Sequence, residues 1–219
     1  MNNNRYVDYT LLKANASLKE IEELCNNAKL NNYKSVCVNP CNIKTCKKFL
    51  KNSNVLVCTV IGFPLGQNTA ETKVFETIDA IKNGADEIDM VINVGKVLDG
   101  DFNYIEQEIT RIRKVCLDKT LKVIIETCYL NEQQILKLSE ICKRTTADYV
   151  KTSTGFGTRG ASIDDIKLIK SVLSNDLGIK ASGGIKTDEF AKELIELGAT
   201  RIGTSSQLFK NLENDKNKE

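Results

Sequence analysis

The sequence alternates between short apolar runs and longer segments with helical spacing, and this alternation restricts the possible folds more than any other feature. Eight runs have strand character, and they span residues 6–12, 35–39, 55–62, 87–93, 122–126, 148–153, 178–182 and 200–204. Segments such as SLKEIEELCNNAKL and TDEFAKELIELG lie between them. Ser17 and Thr187 are placed to cap helix starts, and Gly84 and Gly198 follow predicted helix ends.

Strands that alternate with helices form a parallel sheet. Eight βα units in 219 residues predict an α/β fold, a closed (β/α)8 TIM barrel near the lower size limit of that architecture. An open doubly wound sheet is the alternative. No linker or change in composition divides the chain, so residues 1–219 are expected to form a single domain, with the charged segment 211–219 as a frayed tail.

The overall composition excludes several classes of function. The formal net charge is only +2, which provides no electrostatic basis for binding nucleic acid or an anionic membrane. No apolar run approaches the roughly 18 residues of a membrane span. The first ten residues, MNNNRYVDYT, contain no apolar signal-peptide core. We therefore expect a cytoplasmic protein.

The eight cysteines are scattered rather than paired in CxxC motifs, and the chain contains no histidine. A zinc site would then have to be built from thiolates, with or without carboxylates. Reduced and mostly buried thiols agree better with this spacing and with a cytoplasmic location. We expect no bound metal ion.

Alternate residues of a strand face opposite sides of a sheet. If the apolar residues of these runs face the helices, a polar set must face the barrel interior. Its members are Asp8, Thr10, Cys37, Asp89, Lys151 and Lys180. Buried charges are costly unless they are paired, so a structural ion-pair network is one interpretation. An active site is favoured, because polar groups on barrel strands usually belong to the catalytic face.

A pair of buried lysines suggests a specific chemistry. Lysine attacks a carbonyl only as the neutral amine, and its ordinary pKa of about 10.4 leaves little amine at neutral pH. Burial and a second ammonium group both favour the neutral form, which can form a Schiff base whose iminium is an electron sink. We predict Lys151 as the nucleophile, Lys180 as the neighbouring charge and Asp89 as a group that transfers protons through water.

Glycines at the ends of three late strands predict an anion site. Backbone N–H groups can approach a phosphate closely at glycine, and the following helix N-terminus adds partial positive charge. Late βα loops are the usual place for a phosphate in a barrel. The residues that we assign to this site are Thr154, Gly155, Gly183, Gly184, Gly203, Ser205 and Ser206.

The segment GFGTRG, residues 155–160, matches the dinucleotide-binding pattern G-x-G-x-x-G, and Asp176 follows about 20 residues later. The context of the motif argues against that function. Only two predicted strands follow it, and Asp176 precedes the next strand instead of ending it. We do not expect a nicotinamide cofactor site here.

Eight motifs occur along the chain in a fixed order, and they are DYTLLK, SVCVNP, VCTVIGFPLG, GADEIDMVIN, LKVIIET, YVKTSTGFG, IKASGGIKT and RIGTSS. In combination they resemble the deoxyribose-phosphate aldolase family over residues 6–209. The resemblance implies a class I aldolase with a (β/α)8 barrel. Such an enzyme reversibly cleaves 2-deoxy-D-ribose 5-phosphate to acetaldehyde and D-glyceraldehyde 3-phosphate, without a metal or organic cofactor.

The resemblance also implies roles for individual residues. Lys151 in KTSTG corresponds to the Schiff-base lysine, Lys180 in KASGG to the lysine that perturbs it, and Asp89 in DEID to the proton relay. The residues that we place at the substrate are Asp8, Thr10, Cys37, Thr154, Gly155, Gly183, Gly184, Gly203, Ser205 and Ser206. Dimers are common in the family, so a homo-oligomer is expected.

The chain departs from the family pattern at three places. Tyr9 replaces a histidine, and its parity predicts a purely structural effect. Phe156 replaces a lysine that some members have near the phosphate, so its charge is missing here. The last nine residues, NLENDKNKE, contain no tyrosine, although some members use a tail tyrosine in proton transfer. Slower proton exchange at the acetaldehyde carbon is the expected consequence.

Two other functions remain open at this point. A different Schiff-base barrel enzyme, such as a transaldolase or a keto-acid aldolase, would differ in its substrate profile. A phosphate-binding barrel without catalysis would be a sensor or scaffold, although the presence of both lysines and Asp89 argues against it. A metal-dependent aldolase is disfavoured by the absence of histidine.

Overall fold

The computed structural model describes residues 3–173 and 177–210, which form a closed barrel of eight parallel strands. The last strand pairs with the first, with Asp8 opposite Gly203 in the register. This pairing excludes an open sheet and confirms the predicted (β/α)8 barrel. Asp176 and the predicted tail at 211–219 lie outside the described residues.

The strands follow one another around the barrel in chain order. They are β1 (Val7–Leu11), β2 (Ser35–Val38), β3 (Leu56–Ile61), β4 (Glu87–Val91), β5 (Thr120–Ile124), β6 (Tyr149–Lys151), β7 (Gly178–Ser182) and β8 (Arg201–Thr204). Each predicted run overlaps one of these strands. The clearest difference is at β5, which ends at Ile124 because Glu126 has a left-handed backbone with a φ of +54°.

Eight α-helices surround the barrel in the described part of the chain. They are α1 (Leu18–Leu30), α2 (Ile43–Phe49), α3 (Ala70–Lys82), α4 (Val94–Leu98), α5 (Phe102–Val115), α6 (Glu132–Arg144), α7 (Ile163–Val172) and α8 (Asp188–Glu196). Within residues 3–173 and 177–210, no helix combines the length and the apolar character that crossing a membrane requires.

The predicted helix caps are confirmed. Ser17 and Glu20 form a reciprocal capping box at the start of α1, and Thr187 accepts a hydrogen bond from a backbone N–H at the start of α8. Gly84 directly follows the last turn of α3 with a φ of +105°, a conformation that few other residues adopt.

The two faces of the barrel strands differ as the parity predicts. Residues such as Val36 and Ile88 face the helices and are completely buried in the main apolar core. Tyr9 lies in the same outer layer, with its ring centroid 5.5 Å from that of Tyr33, so its side chain packs as a structural residue. The opposite face points into the barrel, where Asp8 and Asp89 are both fully buried.

Candidate active site

Lys151, Lys180 and Asp89 meet inside the barrel. Lys151 ends β6 and lies opposite Lys180 of β7 in the strand register. The ammonium groups of both lysines donate to the same carboxylate oxygen, Asp89 Oδ2, at 2.8 Å from Lys151 Nζ and 2.7 Å from Lys180 Nζ. The structure thus brings together the three residues predicted to carry the chemistry.

Opposite charges prevail over burial in this cluster. Burial disfavours the carboxylate form of Asp89, but the ammonium groups of Lys122, Lys151 and Lys180 outweigh it and hold the pKa of Asp89 well below its ordinary value. Burial likewise opposes the ammonium form of Lys180, but the carboxylates of Asp8 and Asp89 raise its pKa well above the ordinary range. Lys180 therefore carries a positive charge beside Lys151.

Three further charged residues complete the cluster, and the sequence analysis missed them. Lys122 Nζ lies 2.7 Å from Asp89 Oδ1 and 2.6 Å from Glu87 Oε2. Arg201 bridges Asp8 and Glu87. The interior charge cluster, as we call it, comprises Asp8, Glu87, Asp89, Lys122, Lys151, Lys180 and Arg201.

The interior charge cluster contains three carboxylates and four cations, and these cations differ in how many carboxylates they contact. Lys122 lies near three carboxylates, whereas Lys180 and Arg201 each lie near two. Lys151 contacts only the carboxylate of Asp89 among the described residues. Lys151 is therefore the cation with the fewest ion pairs to break.

A cavity of about 340 Å³ opens over the cluster at the carboxyl ends of β1 and β6–β8. Of the predicted site residues, those that line it are Thr10, Lys151, Thr154, Gly155, Gly183, Gly184, Gly203 and Ser205. The remaining ones do not line it. Asp8, Cys37, Asp89 and Lys180 are completely buried, and Ser206 donates its backbone N–H to Thr204 Oγ1 at 2.9 Å.

Glycine is required where the walls of this cavity meet. Gly183 has a φ of +83°, and a Cβ atom there would lie 2.9 Å from the Cα of Gly160 and 3.3 Å from that of Gly155. Only glycine combines this conformation with so close an approach of two backbones. The loops after β6 and β7 therefore lie in close backbone contact at the wall of this cavity.

Two lysines missed by the sequence analysis also line the cavity. They are Lys13, in the loop after β1, and Lys186, in the loop after β7. Lys13 forms an ion pair with Glu20, the residue that closes the capping box of α1. Phe156 lies on the same wall with 58% of its surface exposed and stacks edge-on against Phe63. Lys13 and Lys186 both lie in loops, where side chains do not alternate between two faces as they do in a strand. The alternation of apolar and polar residues therefore could not predict their positions.

Two buried thiols adjoin the interior charge cluster. Cys37 Sγ, Cys58 Sγ and an oxygen of Asp89 all lie within 4.8 Å of one another, a spacing that could suit a metal ion. The ammonium group of Lys122 already contacts two of these three groups, at 3.3 Å from Cys58 Sγ and 2.7 Å from Asp89 Oδ1. All eight cysteines are free thiols.

Comparison with known proteins agrees with this geometry. Residues 5–205 match the DeoC/LacD family aldolase pattern. The chain is 55% identical to deoxyribose-phosphate aldolase from Ureaplasma parvum, over 94% of its own length and 95% of that protein. It is 52% identical to deoxyribose-phosphate aldolase 1 from Vibrio vulnificus, over 94% of each chain.

A solved structure with the same fold supports the assignment. Deoxyribose phosphate aldolase from Aeropyrum pernix, which has a unique tetrameric structure, superimposes with a TM-score of 0.87 at 30% identity, and the match covers 98% of this chain and 91% of that one. The matching sequence pattern, the identities above 50% and this superposition all span nearly the full chain. The chain belongs to the DeoC/LacD family of aldolases.

Proposed function

We propose that this chain reversibly cleaves 2-deoxy-D-ribose 5-phosphate to acetaldehyde and D-glyceraldehyde 3-phosphate, as its relatives' names indicate for them, and that Lys151 forms the Schiff base. One observation carries the assignment of the lysine. Lys151 is the only member of the interior charge cluster that lines the cavity, among the described residues. A substrate carbonyl bound in that cavity would therefore lie beside Lys151, the one cluster member on its wall.

The first step is attack of the Lys151 amine on the aldehyde carbon of the open-chain sugar. Loss of water gives an iminium, which withdraws electrons from the neighbouring carbon–carbon bond. Lys180 is less suited to this step, because it is completely buried and contacts two carboxylates. Lys180 instead holds the carboxylate of Asp89 beside Lys151, since both ammonium groups contact Asp89 Oδ2.

Bond cleavage requires a base at the C3 hydroxyl. Asp89, which stays ionised, accepts that proton through a water molecule, with Lys180 holding the carboxylate in place. The C3–O bond becomes the carbonyl of glyceraldehyde 3-phosphate as the C2–C3 electron pair moves into the iminium and forms an enamine. Proton return to the enamine carbon and hydrolysis then release acetaldehyde and free Lys151.

We place the phosphate end of the substrate against the glycines that line the cavity. Gly155, Gly183 and Gly184 all have positive φ angles, and Lys13 and Lys186 on the cavity wall add positive charge. These two lysines are candidates to replace the charge that Phe156 does not supply. The chemistry proposed here requires no cofactor, because the iminium itself is the electron sink.

A trapping experiment tests this proposal. The protein is incubated with acetaldehyde and borohydride, digested, and mapped by mass spectrometry. We expect an ethyl group on Lys151. An adduct on Lys180 would reverse the assignment of the two lysines, and a folded protein without any adduct would contradict the Schiff-base mechanism.

Two further properties belong to this proposal. We propose a homo-oligomer, most simply a dimer, although the relative from Aeropyrum pernix is a tetramer. Light scattering at several protein concentrations distinguishes these states.

We also propose a cytoplasmic location, supported by the eight free thiols, because cytosolic reductants keep cysteines reduced. Cell fractionation with an antibody against the chain tests that location.

A further inference from the structure

Glu126 combines two unfavourable features at the carboxyl end of β5. It is a carboxylate with only 3% of its surface exposed, and no ion pair involves it within the described residues. Its backbone is left-handed, with φ +54° and ψ +65°, although it is not a glycine. Such outliers persist where the surrounding structure fixes them, and they cluster at functional sites.

The backbone around Glu126 contains a bulge. The N–H of Ile125 donates to the carbonyl of Lys151 at 3.0 Å, and the N–H of Thr127 donates to the carbonyl of Thr152 at 2.9 Å. The two donors, Ile125 and Thr127, are two residues apart, whereas the two acceptors, Lys151 and Thr152, are adjacent. Glu126 is therefore the extra residue of the bulge. Bulges of this kind re-aim a side chain next to active sites.

The side chain of Glu126 binds the loop that carries the proposed substrate contacts. Both carboxylate oxygens accept the backbone N–H of Thr154 at 3.2 Å, and one also accepts the Thr154 hydroxyl. With its hydrogen directed at Glu126, Thr154 Oγ1 accepts the backbone N–H of Phe156 at 3.0 Å. One carboxylate thus fixes the backbone on both sides of Gly155.

We propose that Glu126 is a positioning residue, which holds residues 154–156 so that their backbone can bind the phosphate end of the substrate. Glu126 itself does not line the cavity that contains Lys151, whereas Thr154, Gly155 and Phe156 do. Its effect therefore passes through Thr154. This inference rests on the proposed function for the identity of the ligand, but phosphate alone is sufficient to test it.

The experiment compares Glu126→Gln and Thr154→Val with the unmodified chain. The amide introduced by Glu126→Gln can keep one acceptor but turns a donor toward the Thr154 N–H. We expect KM for deoxyribose 5-phosphate and Ki for inorganic phosphate each to rise about tenfold in Glu126→Gln, the size of a lost charged hydrogen bond. The rate of acetaldehyde trapping on Lys151 should stay within about twofold, because that step needs no phosphate contact.

Glu76→Gln is the matched control. Glu76 of α3 accepts the backbone N–H of Gly62 at 2.8 Å, just beyond the end of β3. It does not line the cavity that contains Lys151. It should leave KM and Ki unchanged. The double variant Glu126→Gln/Thr154→Val should bind more tightly than the product of the two single losses predicts, because both changes alter the same contact between Glu126 and the Thr154 hydroxyl.

Every other outcome contradicts either the positioning role of Glu126 or the proposed aldolase function, and the measurements distinguish the two. Additive effects in the double variant would show that Glu126 does not act through Thr154. Equal losses in KM, kcat and trapping would show a general structural role, and an unchanged KM and Ki in a folded variant would show none. If Glu126→Gln fails to fold, an unchanged Ki in Thr154→Val overturns the inference. Failure of the unmodified chain to trap acetaldehyde would reject the proposed function, while the phosphate Ki would still decide the role of Glu126.

Discussion

Two regions of this molecule bury ammonium groups against carboxylates, yet they treat those charges in opposite ways. One is the interior charge cluster of the barrel. The other is a single pair outside the barrel, in which Lys73 of α3 contacts Glu108 of α5 at 2.7 Å, with both side chains fully buried. Lys73 Nζ also donates to the carbonyl of Val91 at 2.7 Å. This pair has one cation for one carboxylate and lines none of the described cavities.

The two regions differ in whether burial or charge prevails. In the outer pair, burial lowers the pKa of Lys73 and raises that of Glu108. The carboxylates of Glu108 and Glu76 do not compensate for the burial of Lys73, and the ammonium group of Lys73 does not compensate for that of Glu108. In the interior charge cluster, several opposite charges overcome burial, so the pKa of Lys180 is raised and that of Asp89 is lowered. The lone buried pair is shifted toward its neutral forms, whereas the network keeps Asp89 and Lys180 ionised.

The largest effect should come from Lys151→Leu. It removes the amine that attacks the substrate, so turnover should fall by more than about a thousandfold, while circular dichroism remains that of a folded barrel. The matched control is the double variant Lys73→Met/Glu108→Leu, which removes a buried lysine without leaving a carboxylate unpaired and should keep its specific activity. Substantial turnover in Lys151→Leu would show that the interior charge cluster is merely structural, like the outer pair.

Lys73→Met should act on stability instead of catalysis. It leaves Glu108 buried without its cation, and breaking a buried pair in this way costs about 3–5 kcal/mol of unfolding free energy. The double variant with Glu108→Leu should recover most of that loss, because no charge then remains uncompensated. Urea unfolding measures both. A single variant as stable as the unmodified chain would mean that the contact between Lys73 and Glu108 contributes no stability.

Asp89→Asn should reduce kcat by about a hundredfold, the usual contribution of a general acid or base. Trapping of acetaldehyde on Lys151 should persist, because Schiff-base formation keeps its nucleophile. Glu108→Gln, a carboxylate-to-amide change in the outer pair, serves as the comparison and should leave kcat per folded molecule unchanged. Equal losses of kcat in the two variants would remove the functional distinction between the regions.

The sequence predicted the fold and the interior position of the residues proposed to react, because both follow from local periodicity. Strand parity identified Asp8, Asp89, Lys151 and Lys180, and the structure places all four inside the barrel. Parity could also have indicated Glu87, which has the phase of Asp89. Two of the residues that the sequence did not indicate depend on the register between neighbouring strands. They are Lys122, which lies opposite Asp89, and Arg201, which lies opposite Lys180.

Other features could not be predicted from periodicity at all. Glu126 has no sequence signal for a left-handed backbone, a conformation that usually selects glycine or asparagine. Its bulge exists only because β6 pairs beside it. Lys73 lies in an amphipathic helix where a lysine would normally be exposed, and its burial depends on α5 and the end of β4. These positions are set by tertiary contacts between distant segments.

The smallest predicted effect is on the pH dependence of stability. The folded pKa values of Asp8 and Asp89 lie below the roughly 3.9 of an unfolded aspartate, so the stability they contribute is present above that value and is lost as the pH falls toward the folded pKa. Glu108 contributes to the pH dependence of stability with the opposite sign. Its folded pKa is raised, so the folded state takes up its proton first, which favours folding as the pH falls.

Asp89→Asn should therefore lose less unfolding free energy than the unmodified chain between about pH 4.5 and 2.5, by on the order of 1 kcal/mol. Glu108→Gln should not reduce this acid loss, because its removed group opposed the loss. Urea unfolding at several pH values compares the slopes and is independent of each variant's absolute stability. If Glu108→Gln flattened the acid slope as much as Asp89→Asn, Glu108 would also be held ionised, and the two buried charge regions would no longer differ in which form they favour.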